Sequence, residues 1–475
     1  MSTIRNRAVI GVVVVLIIFF YFPRLPATNE YVHEMRHGDR NITNVWVIPE
    51  SEATLHASDE ELQPPRQVSW IFGQTNGLTF CRTASQYVPL AVGFRKIGFS
   101  PKQFPGKCNV LISQKFENNV DIPQHRLHMS LGFRFCMAGS KADQLRCRRK
   151  LLSKSNCPKA FDDYLFQPLT YDLAVSDECT LFKTHVNSPD ASAWWLGKAT
   201  GYMVAHGRGI QLYNEKTVKQ FMHALNCDDK PGLVMNEYVQ EPLTVYGSKI
   251  DVRSFVLVAS MKPAIVFYFD GFARKSDVAY DKDSSDLTVH ITNIAGQGSE
   301  GRENCLYGPA KSHFLKFSEL SEVFTDQHNF EPGFMEHQFK PRAKKISNFV
   351  FQALRNTTRW KALKFKKRRF QIFALDWIID SRGEVQLLES NGFPAVRTLS
   401  CTGQEEVWDP LVKLVAKLHS KPQALLKKGQ TWKDFTVNKG YTFGNMEMIF
   451  NELEEAATQP YDVCQEAEEV PQSKH

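Results

Sequence analysis

Residues 373–395 read FALDWIIDSRGEVQLLESNGFPA: two largely apolar runs joined by Asp380-Ser381-Arg382-Gly383, a turn-forming tetrapeptide with glycine where a positive φ is wanted. This is a β-hairpin. Because Phe373, Leu375, Trp377, Ile378, Leu387 and Leu388 occupy both of its faces, it belongs inside a layered α/β structure. Carboxylates are seldom buried without a partner or a metal, yet this hairpin carries Asp376 and Glu389. Pairing Ile379 with Glu384 sets Asp376 opposite Leu387, with Glu389 as its diagonal neighbour on the same face, about 7–8 Å away. Asn391 adds a neutral oxygen to that face, and an Asp/Glu/Asn oxygen set suits Mg2+ held together with substrate phosphates. The competing reading, a solvated pair on an exposed sheet, is weakened by the apolar surroundings.

Upstream, Lys249-Ile250-Asp251-Val252-Arg253 runs into SFVLVAS, and in a strand its three ionic residues project to one face at period 2. Such a row can grip polyphosphate; taken alone it reads equally well as a salt-bridged solvent face. Glu237 and Tyr238 precede it in an E-Y-V-x-x-P segment. Arg274, in FYFDGFARKS, follows the strand AIVFYF after a Gly turn, and LTVHIT reads as a further strand ending near His290, Thr292 and Asn293. A strand ending at Lys198 is followed by Gly207-Arg208-Gly209, whose backbone N–H groups could wrap phosphate or close a hairpin.

At 475 residues, the chain is too long for one minimal domain, and 43% hydrophobic content excludes a disordered or fibrous protein. A net charge of +7 spread along the chain is not the dense basic face of a nucleic-acid binder, so no nucleic-acid partner is expected. Ten cysteines without a C-x-x-C pair argue against structural zinc. Residues 8–22 form an uncharged apolar run after a short tail (1–7) with two arginines, placed as a secretory signal or signal-anchor would be. At about 1.5 Å per residue it spans about 22 Å, short for a hydrocarbon core near 30 Å. FPRLPATNE offers no small-x-small cleavage site, which favours an uncleaved anchor over a cleaved signal. The expected protein is therefore single-pass and type II, its large part lumenal in the endoplasmic reticulum or Golgi, with a cytosolic-facing topology left open. Sequons at Asn41 and Asn356 agree with that orientation, and in a lumen the cysteines could pair.

A polar stem (23–66) leads to a small α/β domain (67–185), a larger domain rich in strands (186–425) that closes with an amphipathic helix through Val407, Leu411, Val412, Leu414, Val415 and Leu418, and a C-terminal segment (426–475). From Tyr441 to Ser473 there are eight acidic residues and no Lys or Arg, which reads as a solvated acidic tail.

The order of these motifs, together with FQPLTYDL at residues 166–173, resembles the tubulin tyrosine ligase-like family. The resemblance implies an α/β (α+β) chain whose catalytic domain has the ATP-grasp fold with mostly antiparallel sheets. It implies an ATP-dependent ligase that joins a free amino acid to a protein carboxylate through an acylphosphate, with ATP and Mg2+ as cofactors. By matching positions, Lys198, Gly207, Gly209, Glu237, Tyr238, Lys249 and Asp251 would bind nucleotide. Arg253, Arg274, Thr292 and Asn293 would serve the transfer, and Asp376, Glu389 and Asn391 would bind the metal. An acidic polypeptide such as a tubulin tail is the implied acceptor, and the basic run Arg359, Lys361, Lys364, Lys366, Lys367, Arg368 and Arg369 could recruit it or could be a solvated connector. A catalytically inactive ATP-grasp scaffold and, on the strength of anchor and stem, a type II glycosyltransferase are the alternatives; for the latter, Asp281-Lys282-Asp283 is the nearest D-x-D sequence.

Overall fold

The computed structural model describes residues 78–82, 87–102, 108–112, 127–129, 136–153, 167–189, 194–200, 209–293, 313–363, 369–394, 405–420 and 442–452. The apolar run 8–22, the stem, Asn41, Gly207, Lys364 to Arg368 and the chain beyond 452 lie outside them. Among the described residues no helix is long and apolar enough to cross a membrane.

Strands β1 (Thr79–Arg82), β2 (Val110–Ile112) and β3 (Leu127–Met129) pair in parallel, and helix α1 (Val88–Lys96) connects the first two. Helix α2 (Lys141–Leu152) starts at a reciprocal cap, in which Ser140 Oγ accepts the Asp143 N–H and the Asp143 carboxylate accepts the Ser140 N–H. Strand β4 (Thr170–Asp172), helix α3 (Ser176–Val186), strands β5 (Trp195–Ala199) and β6 (Ile210–Tyr213), helix α4 (Glu215–Ala224) and strand β7 (Leu233–Glu237) build a small antiparallel sheet in the order β4-β7-β5-β6. Phe182, Val186, Val218 and Met222 of the two helices form its core with Trp195.

Strands β8 (Ser248–Met261) and β9 (Ala264–Lys275) make a long antiparallel hairpin, and every residue of β8 is buried. Then come β10 (Phe314–Lys316), α5 (Phe317–His328), α6 (Lys340–Arg355), β11 (Arg369–Ile379), β12 (Val385–Asn391), α7 (Glu405–Ser420) and β13 (Met446–Asn451). The main sheet runs β13-β9-β8-β11-β3-β2-β1, with β10 added on β9 and β12 on β11. Beyond Arg253 both faces of β8 are largely apolar because helices cover both. Val252, Val256 and Val258 meet Leu320 and Phe324 of α5 and Ile346 and Val350 of α6, whereas Phe255, Leu257 and Ala259 meet Phe94 of α1 and Leu411 and Val415 of α7. The arrangement is mixed α/β with antiparallel pairing at its centre.

Several local expectations change. LTVHIT is a single helical turn, Leu287–His290, because the Asp286 carboxylate accepts the Thr288 N–H and turns the chain. No Gly turn precedes Arg274; β9 runs straight on through Gly271 as a bulged strand. The start of the supposed acidic tail is strand β13, whose alternating Met446, Met448 and Phe450 are buried while Glu447 pairs with Lys344. The strands of the 67–185 region are divided between the two sheets, β1 to β3 extending the main one and β4 the small one.

Candidate active site

The ionic residues form a lattice across three adjacent strands. Arg253 on β8 stands directly opposite Asp376 on β11, and Asp376 directly opposite Glu389 on β12. Two residues along β8, Asp251 stands opposite Arg274 on β9. Charges therefore alternate along β8 and across to β9 and β11, while Asp376 and Glu389 bring two carboxylates side by side, on the face that farther along β8 carries Phe255 and Leu257.

A bulge produces this alignment. The turn pairs Asp380 with Glu384, and Ile379 then pairs with Val385, one residue beyond the register expected from the turn sequence. Trp377 pairs with Leu387, and the ladder then slips by one residue so that Glu389 meets Asp376 squarely. A second bulge sits between Arg253 and Phe255 on the β9 side, where Gly271 approaches so closely that a Cβ on it would fall 1.9 Å from the Arg253 carbonyl oxygen.

Arg253 grips Asp376 with a two-pronged guanidinium contact, Nε to Oδ1 at 2.6 Å and Nη2 to Oδ2 at 2.7 Å. Arg274 donates to both Asp251 oxygens and also lies 3.1 Å from Asp376 Oδ2, while the Thr292 hydroxyl donates to Asp251 Oδ1. Asn293 follows, half-buried. Burial alone would raise the Asp376 carboxyl; Arg253 and Arg274 outweigh it and hold the group below the usual carboxylate range. Burial likewise opposes the charge on Glu389, and Lys141, 3.6 Å away, helps to keep it ionised.

Lys249 donates to the Tyr238 hydroxyl at 2.9 Å. That hydroxyl lies 2.7 Å from His290 Nδ1, and His290 Nε2 lies 2.7 Å from the Ser284 carbonyl oxygen. A carbonyl can only accept, so Nε2 carries the proton and Nδ1 accepts from Tyr238. Tyr280 shares this corner and donates to the Gln240 carbonyl oxygen at 2.7 Å. Burial pushes Lys249 down to about 7 and Lys198 down to about 8. Lys198 lies on β5 between β6 and β7, close enough to Glu389 and Asp376 for their charges to oppose that shift. Glu237 ends β7 opposite Trp195, and Gly209 opens β6 with φ of 69°. Gly207 lies outside the described residues.

The structure thus brings Asp251, Arg253, Arg274, Thr292, Asp376, Glu389 and Asn391 into one cluster, with Lys249 and Tyr238 joined beside it. Lys141, Gln144, His290 and Tyr280 were not expected in these roles. Ser140-x-x-Asp143 is a readable helix start, but nothing in the sequence indicates that the helix lands on Glu389. At the ends of the basic run, Trp360 is buried against Phe351 and Arg369 is buried at the start of β11.

Among the described residues no group of three His, Cys, Asp or Glu side chains forms a ready metal site. The fit of a cation is better judged at Asn391, whose Nδ2 lies 3.1 Å from Asp376 Oδ2 and 3.4 Å from Glu389 Oε1. A donor occupies the point where both carboxylates converge, and the amide turned over would offer a third oxygen there. That donor chemistry suits Mg2+.

Comparison with known proteins gives the family of the chain. The chain is 30% identical over 260 residues to the protein polyglycylase TTLL10 of Rattus norvegicus, 51% of this chain and 36% of that protein. The inactive polyglycylase TTLL10 of Homo sapiens gives the same identity and coverage. The probable tubulin polyglutamylase ttll-9 of Caenorhabditis elegans is 26% identical over 263 residues, 54% of this chain and 58% of that protein. The match therefore spans about a third of the first two relatives and over half of the third. The profile of the tubulin-tyrosine ligase family matches residues 140–424, from the cap of α2 to just past α7. The matched span is more than half of the 475 residues and includes every strand of the ionic lattice, and the chain belongs to the tubulin-tyrosine ligase family.

Proposed function

We propose that this protein is an ATP-dependent carboxylate–amine ligase of ATP-grasp type that joins a free amino acid to a carboxylate of a polypeptide through an acylphosphate. The observation that carries this reading is the alternation of Arg253, Asp376, Arg274 and Asp251, all buried but the part-buried Arg274, with Lys249 and Lys198 as further buried basic groups nearby. Four basic side chains, three of them buried, around a few carboxylates suit an incoming polyanion. A carboxylate is a poor acyl donor, and phosphorylating it creates a leaving group, so the enzyme's task is to place reactants and neutralise phosphate charge. Lys198 and Lys249 would hold the phosphates, Tyr238 the adenine side, and Arg253 and Arg274 the oxygens that gain charge in transfer. Asp376, Glu389 and Asn391 would hold Mg2+, which would neutralise the phosphates.

The acceptor is proposed to be an acidic polypeptide of the secretory pathway. Two relatives are named for glycylation and one for tubulin glutamylation, but three disulfides, Cys81–Cys108, Cys136–Cys147 and Cys179–Cys227, favour an oxidising compartment, where cytosolic tubulin is not met. They support a lumenal home for the folded part, and the membrane tether expected at residues 8–22 is kept as part of the proposal. A second reading, nucleotide binding without catalysis, is favoured by the human relative named inactive and by the Arg253 clamp on Asp376. The glycosyltransferase alternative loses support, because Asp281-Lys282-Asp283 lie exposed in a loop.

The test is full-length protein from a secretory host, given ATP, an acidic polypeptide and isotope-labelled glycine, glutamate or tyrosine. One ADP and one phosphate per amino acid incorporated is the expected result. AMP with pyrophosphate contradicts the mechanism, and nucleotide binding with no incorporation favours the second reading.

A further inference from the structure

Strand β12 carries Glu389 and Asn391, and among the described residues it pairs on one side only, with β11. Ser390 lies between those two residues and opposite Leu375. Its N–H and C=O point away from β11, toward an edge that no strand covers among the described residues. Helix α2 covers them instead, with one side chain.

Gln144, 5% exposed, accepts the Ser390 N–H on Oε1 at 2.9 Å and donates from Nε2 to the Ser390 carbonyl oxygen at 2.7 Å. A primary amide has two donor hydrogens and two acceptor positions, and here all four are used: Nε2 also donates to the Gly139 carbonyl oxygen at 3.1 Å, and Oε1 also accepts from Ser390 Oγ at 3.1 Å. Reversing the amide would set donor against donor, so its orientation is determined. The Met137 carbonyl oxygen, also 3.1 Å from Ser390 Oγ, shares that single hydroxyl hydrogen with Gln144 Oε1. The segment that presents Met137, Gly139 and Gln144 is closed on itself by the Cys136–Cys147 disulfide.

We propose that Gln144 is a positioning residue that sets Glu389 and Asn391 by holding the Ser390 peptide as a neighbouring strand would. This rests on the ligase reading of Asp376, Glu389 and Asn391. With the Ser390 peptide fixed, the side chains before and after it stay on the Asp376 face; released, this edge strand can rotate both out of register. Groups that orient metal-binding side chains typically contribute about 10–100-fold in metal affinity or activity.

The experiment uses the full-length protein, wild type and with Gln144→Leu, which keeps apolar volume and removes the amide, or Gln144→Asn, which keeps the amide one methylene short. Hydrogen exchange of the peptide containing Ser390 should quicken about tenfold, in line with losing about 1.4 kcal/mol of local hydrogen bonding, while β8 and β9 stay protected. The Mg2+ concentration that half-saturates binding of a non-hydrolysable ATP analogue should rise about 10–100-fold. Ser390→Ala, which loses the hydroxyl but keeps both backbone hydrogen bonds to Gln144, should shift both readings less than either Gln144 variant does. Faster exchange with an unchanged Mg2+ midpoint would make Gln144 a structural residue only and overturn the proposal. If wild type binds Mg2+ and nucleotide but ligates nothing, the ligase reading fails while the binding and exchange measurements still decide the role of Gln144.

Discussion

Arg274 answers to two carboxylates at once, and this decides how its role can be measured. Arg274→Ala would leave Asp251 buried without its guanidinium, and breaking a buried pair by removing one partner costs about 3–5 kcal/mol, so lost activity would be confounded with lost fold. Arg274→Lys keeps the charge and removes the planar fork. It is expected to melt within a few degrees of wild type and to lose about 10²–10³-fold in kcat with little change in KM for ATP. A raised KM with normal kcat would make Arg274 a ground-state phosphate contact. Lys249 and Lys198 give a pH prediction whose sign follows from burial. In the free protein they lose their protons near 7 and 8, and bound phosphates restore their charge. Nucleotide binding should therefore take up protons at about pH 8–9 and cease to do so below about pH 6, as read by calorimetry in two buffers of different ionisation enthalpy. Proton release at pH 8–9 would contradict it.

At the scale of elements, the hairpin around Asp380 to Gly383 was legible because turn chemistry and apolar runs announce it; its register was not. The slip between Asp376 and Trp377 depends on how β12 settles against α2, and no local signal encodes it. LTVHIT misled for a related reason: β-branched residues favour a strand, but Asp286 supplied a cap and the tertiary setting a turn. Gly271 was passed over as a turn glycine, although it admits the backbone of Arg253 and so brings β9 onto the lattice. Gly271→Ala is expected to cost about 4 kcal/mol or more, or to prevent folding, because backbone and not a flexible side chain blocks the new Cβ. Urea unfolding measures this, and a midpoint close to wild type would show that the close approach is dispensable.

For the whole molecule, the chemistry-bearing residues could be read in order along the chain, whereas their meeting on one face depended on pairings between strands more than a hundred residues apart, such as Arg253 with Asp376. The joining of β3 to β11 was equally hidden, since short parallel strands carry no alternation to show which neighbour they take. Disulfide connectivity could not be read from spacing either. Cys179→Ser with Cys227→Ser opens a separation of 48 residues and is expected to cost about 4 kcal/mol on chain-entropy grounds, visible as a lower Tm; unchanged stability would remove the disulfide support for a lumenal home. The central claim is the acylphosphate. An acceptor whose glutamate carboxylates carry 18O tests it directly: a carboxylate oxygen attacks the γ-phosphorus, ADP leaves, and the amine then displaces phosphate together with that oxygen. The account predicts one 18O in the released phosphate for each amino acid joined, whereas unlabelled phosphate, or label in AMP, would contradict it.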